Sequence, residues 1–278
     1  MRAASLASFA ILTGLFTPAF CAADTASDRI AVSANGGTLT DTTGGNTKDG
    51  VGESLAWLHN FDADSLITVG AEHQQLAFAQ WTFGSIAGAV TRAIGDARYT
   101  FAAEAHDGAG DASHVPFHYS IEAADVTGTY FHRLSVTLED RRIDVQTSHG
   151  NLPKFGLAYL WSPRWLTTVS YADSISGNLG THLYSARIDR YASALNVFVG
   201  AAGGQASPNI FETGTSFETA TVFKGHRLRE GYVGATKSFA GIRSDVTLIA
   251  DYIDLSGSKR STLTLNYVFH LQATGGGH

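Results

Sequence analysis

STLTLNYVFHL, residues 261–271, places Ser261, Leu263, Leu265, Tyr267, Phe269 and Leu271 on one side of an extended chain and Thr262, Thr264, Asn266, Val268 and His270 on the other. Successive side chains of a strand point to opposite faces, so one wall here is apolar and ends in aromatics while the other is mostly polar. A strand between lipid and water is patterned this way, with aromatic rings at headgroup level.

The alternation recurs upstream. In 97–106, Tyr99, Phe101, Ala103 and Ala105 oppose Arg98, Thr100, Glu104 and His106; in 154–162, Phe155, Leu157, Tyr159 and Trp161 oppose Gly156, Ala158 and Ser162. In 243–254, Val246, Leu248, Ala250 and Tyr252 oppose Asp245, Thr247 and Asp251. Tight-turn chemistry separates alternating runs at Asp62 to Ser65, Gly95-Asp96, Ser162-Pro163-Arg164, Arg190 to Ser193 and Ala240-Gly241. Longer polar or glycine-rich connections are expected at 40–50, 107–116, 146–153, 176–181, 204–229 and 255–260.

Strands are therefore expected at 29–39, 51–61, 66–76, 79–93, 97–106, 117–130, 133–145, 154–162, 165–175, 182–190, 194–203, 230–239, 243–254 and 261–271. The pattern blurs in the fourth, around Arg141-Arg142 and in the twelfth, so twelve strands are the alternative to fourteen. The expected fold is all-β: a transmembrane antiparallel up-and-down β-barrel with short turns and both termini on the periplasmic side. A soluble β-sandwich also alternates along its strands. Against it stand the aromatics near strand ends, the segregation of short and long connections, and the wholly apolar outward face of the last strand.

Arg2, the apolar run Ala3 to Leu15, Pro18 and the small pair Ala22-Ala23 have the form of a secretory signal peptide, residues 1–23, cleaved after Ala23. A lipoprotein built on Cys21 is disfavoured by the bulk of Phe20 before it. The barrel domain then spans 24–278. Met1 and Cys21 are the chain's sole sulfur residues, so the mature chain has no disulfide or thiol chemistry. Its formal charge moves from −6 to −7 with the loss of Arg2, which argues against nucleic acid as a partner. No stretch after the leader approaches the roughly 20 apolar residues of a membrane helix.

The segment LAYLWSPRWLTTVSYADS, 157–174, resembles the centre of the YaiO family of outer-membrane β-barrels, where a strand-ending tryptophan, a short turn and Trp165-Leu166-Thr167-Thr168 follow one another. LSVTLEDRRIDV at 134–145 and the terminal STLTLNYVFHL fit the same family, over much of 50–271; the tail Gln272 to His278 departs from it. The resemblance implies an outer-membrane barrel associated with exopolysaccharide-producing loci, with any periplasmic export scaffold on a separate protein. It implies no catalytic residue.

Chemistry-bearing residues are sparse. His118-Tyr119-Ser120 has the His-x-Ser spacing of outer-membrane phospholipases, but Phe117, Tyr119 and Ile121 make an apolar face that would turn His118 and Ser120 into the lumen, away from lipid. Asp62 and Asp64 are expected to form a turn. His106, His114 and His118 do not have metal-ligand spacing. No metal or cofactor is implied.

Inward parity gives the lumen Glu72, Glu104, Glu122, Glu139, Asp189, Asp245 and Asp251 against Arg98, Arg141, Arg187 and Arg243, with His118 beside them. A wall with net negative charge favours cations; paired charges on neighbouring strands without a transport role are the bland alternative. The loop 204–229, with Lys224, His226, Arg227 and Arg229 beside Phe211, Phe217 and Phe223, could fold inward or stand above the membrane.

The functional expectation is a passive or gated outer-membrane conduit of a Gram-negative bacterium, associated with exopolysaccharide export and partnered by outer-membrane lipid and a polysaccharide or small-solute ligand. A general monomeric porin, an outer-membrane enzyme and a receptor barrel are the alternatives.

Overall fold

The computed structural model describes residues 27–41, 47–76, 79–112, 115–145, 148–206, 226–255 and 258–271. They form fourteen strands: β1 (Ser27–Asp41), β2 (Thr47–Asn60), β3 (Ser65–Leu76), β4 (Ala79–Ile94), β5 (Ala97–Ala112), β6 (Val115–Tyr130), β7 (Leu134–Val145), β8 (Ser148–Ser162), β9 (Trp165–Asp173), β10 (His182–Ala192), β11 (Leu195–Ala206), β12 (His226–Phe239), β13 (Ser244–Leu255) and β14 (Ser258–His270). Each pairs antiparallel with the next, and β14 pairs with β1 from Arg29↔His270 to Asp41↔Ser258. The fold is the expected closed fourteen-stranded meander. Closure leaves no strand edge without backbone partners, as a wall in hydrocarbon requires.

The end carrying the six tight turns, the start of β1 and the end of β14 is here called the base, and the opposite end the rim. Base turns have the chemistry the sequence indicated. Asp62 accepts hydrogen bonds from the Ser65 hydroxyl at 2.6 Å and the Asp64 amide at 2.8 Å, which hold its carboxyl below the usual carboxylate range. Gly95 supplies the left-handed φ of +61° between β4 and β5. The β6–β7 turn places Phe131 and His132 at φ of 52° and 53° without glycine.

The rim departs from expectation. The polar stretches 107–116, 146–153 and 255–260 were expected as loops, but β5 runs to Ala112, β6 starts at Val115, β8 starts at Ser148 and β14 starts at Ser258. The physical cause is length. The 16 residues of β4, β5 and β6 span about 50 Å along the strand and about 40 Å along a barrel axis tilted by about 40°. An apolar band in such barrels is about 25 Å tall, so this side of the wall projects beyond it as a polar-surfaced continuation. By contrast β9 has 9 residues and β10 has 11, the length that just crosses a membrane.

Exposed side chains map the band. Trp57, Phe61, Trp161, Trp165 and Phe269 stand outward near the base, Tyr171, Tyr184 and Tyr252 towards the rim, and Leu55, Val69, Phe101, Leu138, Val169, Val199, Val233, Leu248, Leu263 and Leu265 between them. In the final strand Leu265 is 48% exposed and Thr264 0%, which assigns outside and inside as the alternation expected.

Strand β6 shows what happens above the band. Its inward residues remain the odd ones throughout, yet they change from Asp125 and Thr127 near the middle to Ile121, Tyr119 and Phe117 towards the rim, all buried. Its outward residues change in the opposite sense, from Val126 and Ala124 to Glu122 and His118. On β7, Ser135, Thr137, Glu139 and Arg141 give way inside to Ile143, while outside Leu138 gives way to Asp140, Arg142 and Asp144. The blurred pattern at Arg141-Arg142 is this exchange.

Candidate functional site: the barrel interior

The inner wall at the rim is an apolar cluster. Trp81 and Phe83 of β4, Phe117, Tyr119 and Ile121 of β6, Ile143 of β7, Leu152 of β8, Ala172 of β9, Leu183 of β10, Leu228 of β12 and Ile253 of β13 are buried together, joined by Leu179 from the β9–β10 connection. Phe83 and Tyr119 stack with ring centroids 5.4 Å apart. Leu179 is brought in by backbone bonding. The connection 174–181 lies against the projecting start of β8, where the Ile175 amide donates to Asn151 O at 3.1 Å and the Asn178 amide to His149 O at 2.9 Å. Asn178 Oδ1 accepts from the His149 amide at 2.8 Å. At Gly177, with φ of +73°, an added Cβ would meet the His149 carbonyl, so glycine permits this approach. The segment supplies the wall height that the short β9 and β10 lack.

Beneath the cluster lies a buried ion network. Arg141 donates to Glu139 at 3.0 Å and to Glu104 at 3.3 Å, and Lys154 stands 3.5 Å from Glu139. His106 is 3.6 Å from Glu104. Asp125 sits directly across the ladder from Glu139; it is 8% exposed and neither of its carboxylate oxygens accepts a hydrogen bond. On the β13–β14 wall, Arg260 is 3.9 Å from Asp251, with Glu230 buried nearby on β12.

Towards the base the interior turns to hydroxyl pairs and one aromatic-backed cation. Thr91 with Thr100 at 3.0 Å, Thr127 with Thr137 at 2.8 Å, Ser170 with Ser185 at 2.7 Å and Thr236 with Thr247 at 2.8 Å bridge adjacent strands. Arg187 donates to both oxygens of Asp189, at 2.7 and 2.9 Å, and its guanidinium lies 3.9 Å from the Phe198 ring centroid. Phe198 and Tyr232 lie over Gly234 and Gly200, their partners across the β11–β12 ladder, so both rings rest flat on the wall. At the base, Arg29 donates to Asn60 at 3.2 Å and His270 bonds Asp245 at 2.8 Å.

The structure places Glu72, Glu104, Glu139, Arg141, Asp189 and Asp251 buried on the inner face, with Arg187 and Asp245 half-buried there. Arg98 has inward parity but sits at the base, where it bonds Asp64 at 2.6 Å. Three residues are misplaced by the sequence. Glu122 and His118 face outward, because the apolar residues beside them fill the rim interior and do not meet lipid; Arg243 is an exposed residue of the β12–β13 turn at φ 48°. Facing therefore does not separate His118 and Ser120 from lipid. Instead, His118 Nε2 is held by Asp107 at 2.8 Å, and the two side chains are 65% and 78% exposed. Asp125, Glu230, Arg29, Lys154 and Arg260 were missed, and the buried charged set holds seven acids and four bases. Lys154 is legible from the parity of Gly156, whereas Asp125 is hidden by Ile121, whose parity it shares and whose apolar side chain reads as lipid-facing.

Among the described residues, no group of three or more His, Cys, Asp or Glu side chains could hold a metal. His114, the segment 207–225 of the expected loop 204–229, the expected signal peptide 1–23 and the tail 272–278 lie outside the described residues.

No protein-family model matches the chain, and no curated protein sequence does. Among solved structures, the Pseudomonas putida toluene transporter TodX is similar over 90% of this chain and 90% of its own, with a TM-score of 0.54 and 9% identity. A TodX deltaS2S3 mutant, described as a monoaromatic hydrocarbon channel, is similar over 90% and 91% with the same score and identity. Pseudomonas aeruginosa OccK7 (OpdD) scores 0.43 at 7% identity over 88% of this chain and 99% of that one. The likeness is one of fold. These neighbours are outer-membrane barrels, and the resemblance to the YaiO family gains no support beyond that shared architecture.

Proposed function

We propose that this protein is an outer-membrane conduit for small solutes, delivered by the leader 1–23, and closed at its rim end in the conformation described. The observation that carries the reading is the inner wall. It passes from hydroxyl pairs at the base through the Glu104–Arg141–Glu139–Lys154 network to an apolar cluster that, among the described residues, the connection 174–181 completes with Leu179. Hydrophobic constrictions gate by excluding water, and Leu179, carried by a connection and not by a wall strand, can withdraw without disturbing the barrel. The apolar band supports the membrane location, and the channel neighbours support transport over catalysis. An exopolysaccharide cargo rests on the family resemblance alone; the buried apolar cluster on the inner wall at the rim suits a small solute better than a sugar strand.

The test is conductance in planar bilayers. Wild-type protein should open rarely, and Leu179→Gln should raise the open fraction severalfold by hydrating the plug, whereas Leu265→Ile, outside the bore, should not. Small solutes, and not oligosaccharides, should then block the current. Silence of both the wild type and Leu179→Gln in bilayers, from protein that fractionates with the outer membrane and shows heat-dependent gel mobility, would overturn the conduit.

A further inference from the structure

Below the apolar cluster, six inward groups gather on β5 to β8: Glu104, His106, Asp125, Glu139, Arg141 and Lys154. The two cations are engaged by Glu139 and Glu104. Asp125 remains. It is 8% exposed, directly across the ladder from Glu139, and both of its oxygens lack a hydrogen-bond donor. Like charges directly opposite one another destabilise a strand pair, and a buried carboxylate without a partner is among the most costly arrangements in a protein. Folding alone would be better served by an apolar residue at this position. Local rules broken without a compensating contact mark functional positions.

What surrounds Asp125 defines the missing partner. Its other neighbour across the ladder is Ala102, and the next inward residue on its own strand is Ala123, so small side chains flank the carboxylate. One inward position further towards the rim stand Ile121 on β6, Ile143 above Arg141 on β7 and Leu152 above Lys154 on β8, all buried in the apolar cluster. The group thus sets three carboxyls against two permanent cations, with His106 held 3.6 Å from Glu104, and hydrocarbon begins about 13 Å away along β6, four residues at about 3.3 Å each. We propose that Asp125 is the anchor of an interior site for amphipathic organic monocations, with the ammonium group bonded to the Asp125 carboxylate and a small apolar or aromatic body lying against Ile121, Ile143 and Leu152. The site deepens the conduit reading on which it rests, by naming the class of solute that the bore selects.

Calorimetric titration of the full barrel in detergent tests the site without any current being read. The probe is 2-phenylethylammonium, matched by the neutral 2-phenylethanol and by potassium. Wild type should prefer the ammonium over the alcohol by about tenfold, the factor that about 1.4 kcal/mol produces. Asp125→Asn should abolish that preference, and Lys154→Met should strengthen it by removing a competing charge. Opposite signs from two interior substitutions cannot come from misfolding. Equal binding of ammonium and alcohol, a preference that survives Asp125→Asn, or displacement by equimolar potassium would each overturn the proposal. A barrel that discriminates in solution but stays silent in bilayers loses the conduit and keeps the site; one that conducts without discrimination loses the site and keeps the conduit.

Discussion

Between Ala124 and Tyr130, β6 turns Ala124, Val126 and Tyr130 outward and Asp125 and Thr127 inward; between Phe117 and Ala123 it turns His118, Ser120 and Glu122 outward and Phe117, Tyr119 and Ile121 inward. The backbone is continuous and the facing is unchanged. Only the solvent has changed. Near the base, the outside of the wall contacts hydrocarbon and the inside holds polar groups. Above the band the outside contacts water, so the wall obeys the rule of a soluble barrel and buries its apolar side chains within. Facing is a property of the pleat, whereas polarity is a property of depth.

The largest expected effect separates the two regions on the same outer surface. Leu265→Arg places a charge at mid-band and should cost roughly 2 to 4 kcal/mol. Ser120→Arg lies above the band and should change stability by less than about 0.5 kcal/mol, as for ordinary surface substitutions. Reversible urea unfolding in lipid vesicles measures both. Equal losses would place the hydrocarbon boundary above Ser120 and dissolve the distinction.

The same distinction explains what the sequence revealed. Strand number, closure and base turns were legible because β9, β13 and β14 alternate cleanly within the band and Asp62, Gly95 and Pro163 carry turn chemistry in their own residue types. The rim was not legible in this way. Asp107 to Ala112 and Ser148 to Pro153 look like loops, since polar outward residues and glycines are common to loops and to strands standing in water. Phe117, Tyr119 and Ile121 look lipid-facing, since alternation reveals that two faces differ but not which solvent each one meets. Asp125 could be found only by following β6 past the exchange with its parity held fixed.

A smaller effect probes the interior of the rim. Ile143 is 1% exposed within the apolar cluster, so Ile143→Val should cost about 1 kcal/mol, the usual loss for one buried methylene in a packed core. A water-filled rim would show almost no loss in the same unfolding experiment. That result would restore the open lumen expected of an alternating wall and remove the plug from the proposed gating.

The smallest effect belongs to His118 and Ser120, on the outer side of that same rim. The His118–Asp107 contact spans 2.8 Å, but with side chains 65% and 78% exposed it is a solvated pair, and such pairs contribute about 0 to 1 kcal/mol. His118→Ala should therefore lower stability by no more than about 0.5 kcal/mol. Chemistry is the sharper question, because Ser120 lies beside His118 and directly across the ladder from Asp107, which gathers the residue types of a nucleophile, a base and its orienting acid just above the lipid-facing band. A working set needs the hydroxyl within about 3 Å of the imidazole and donors for a developing oxyanion. Here Nε2 is taken by Asp107 and the site is open to water. Purified protein mixed with phospholipid micelles should release no fatty acid above background, and Ser120→Ala should match wild type. Release that disappears in Ser120→Ala and His118→Ala alike would convert this stretch of solvated wall into an active site, and would show that the polar exterior above the band serves lipid chemistry as well as contact with water.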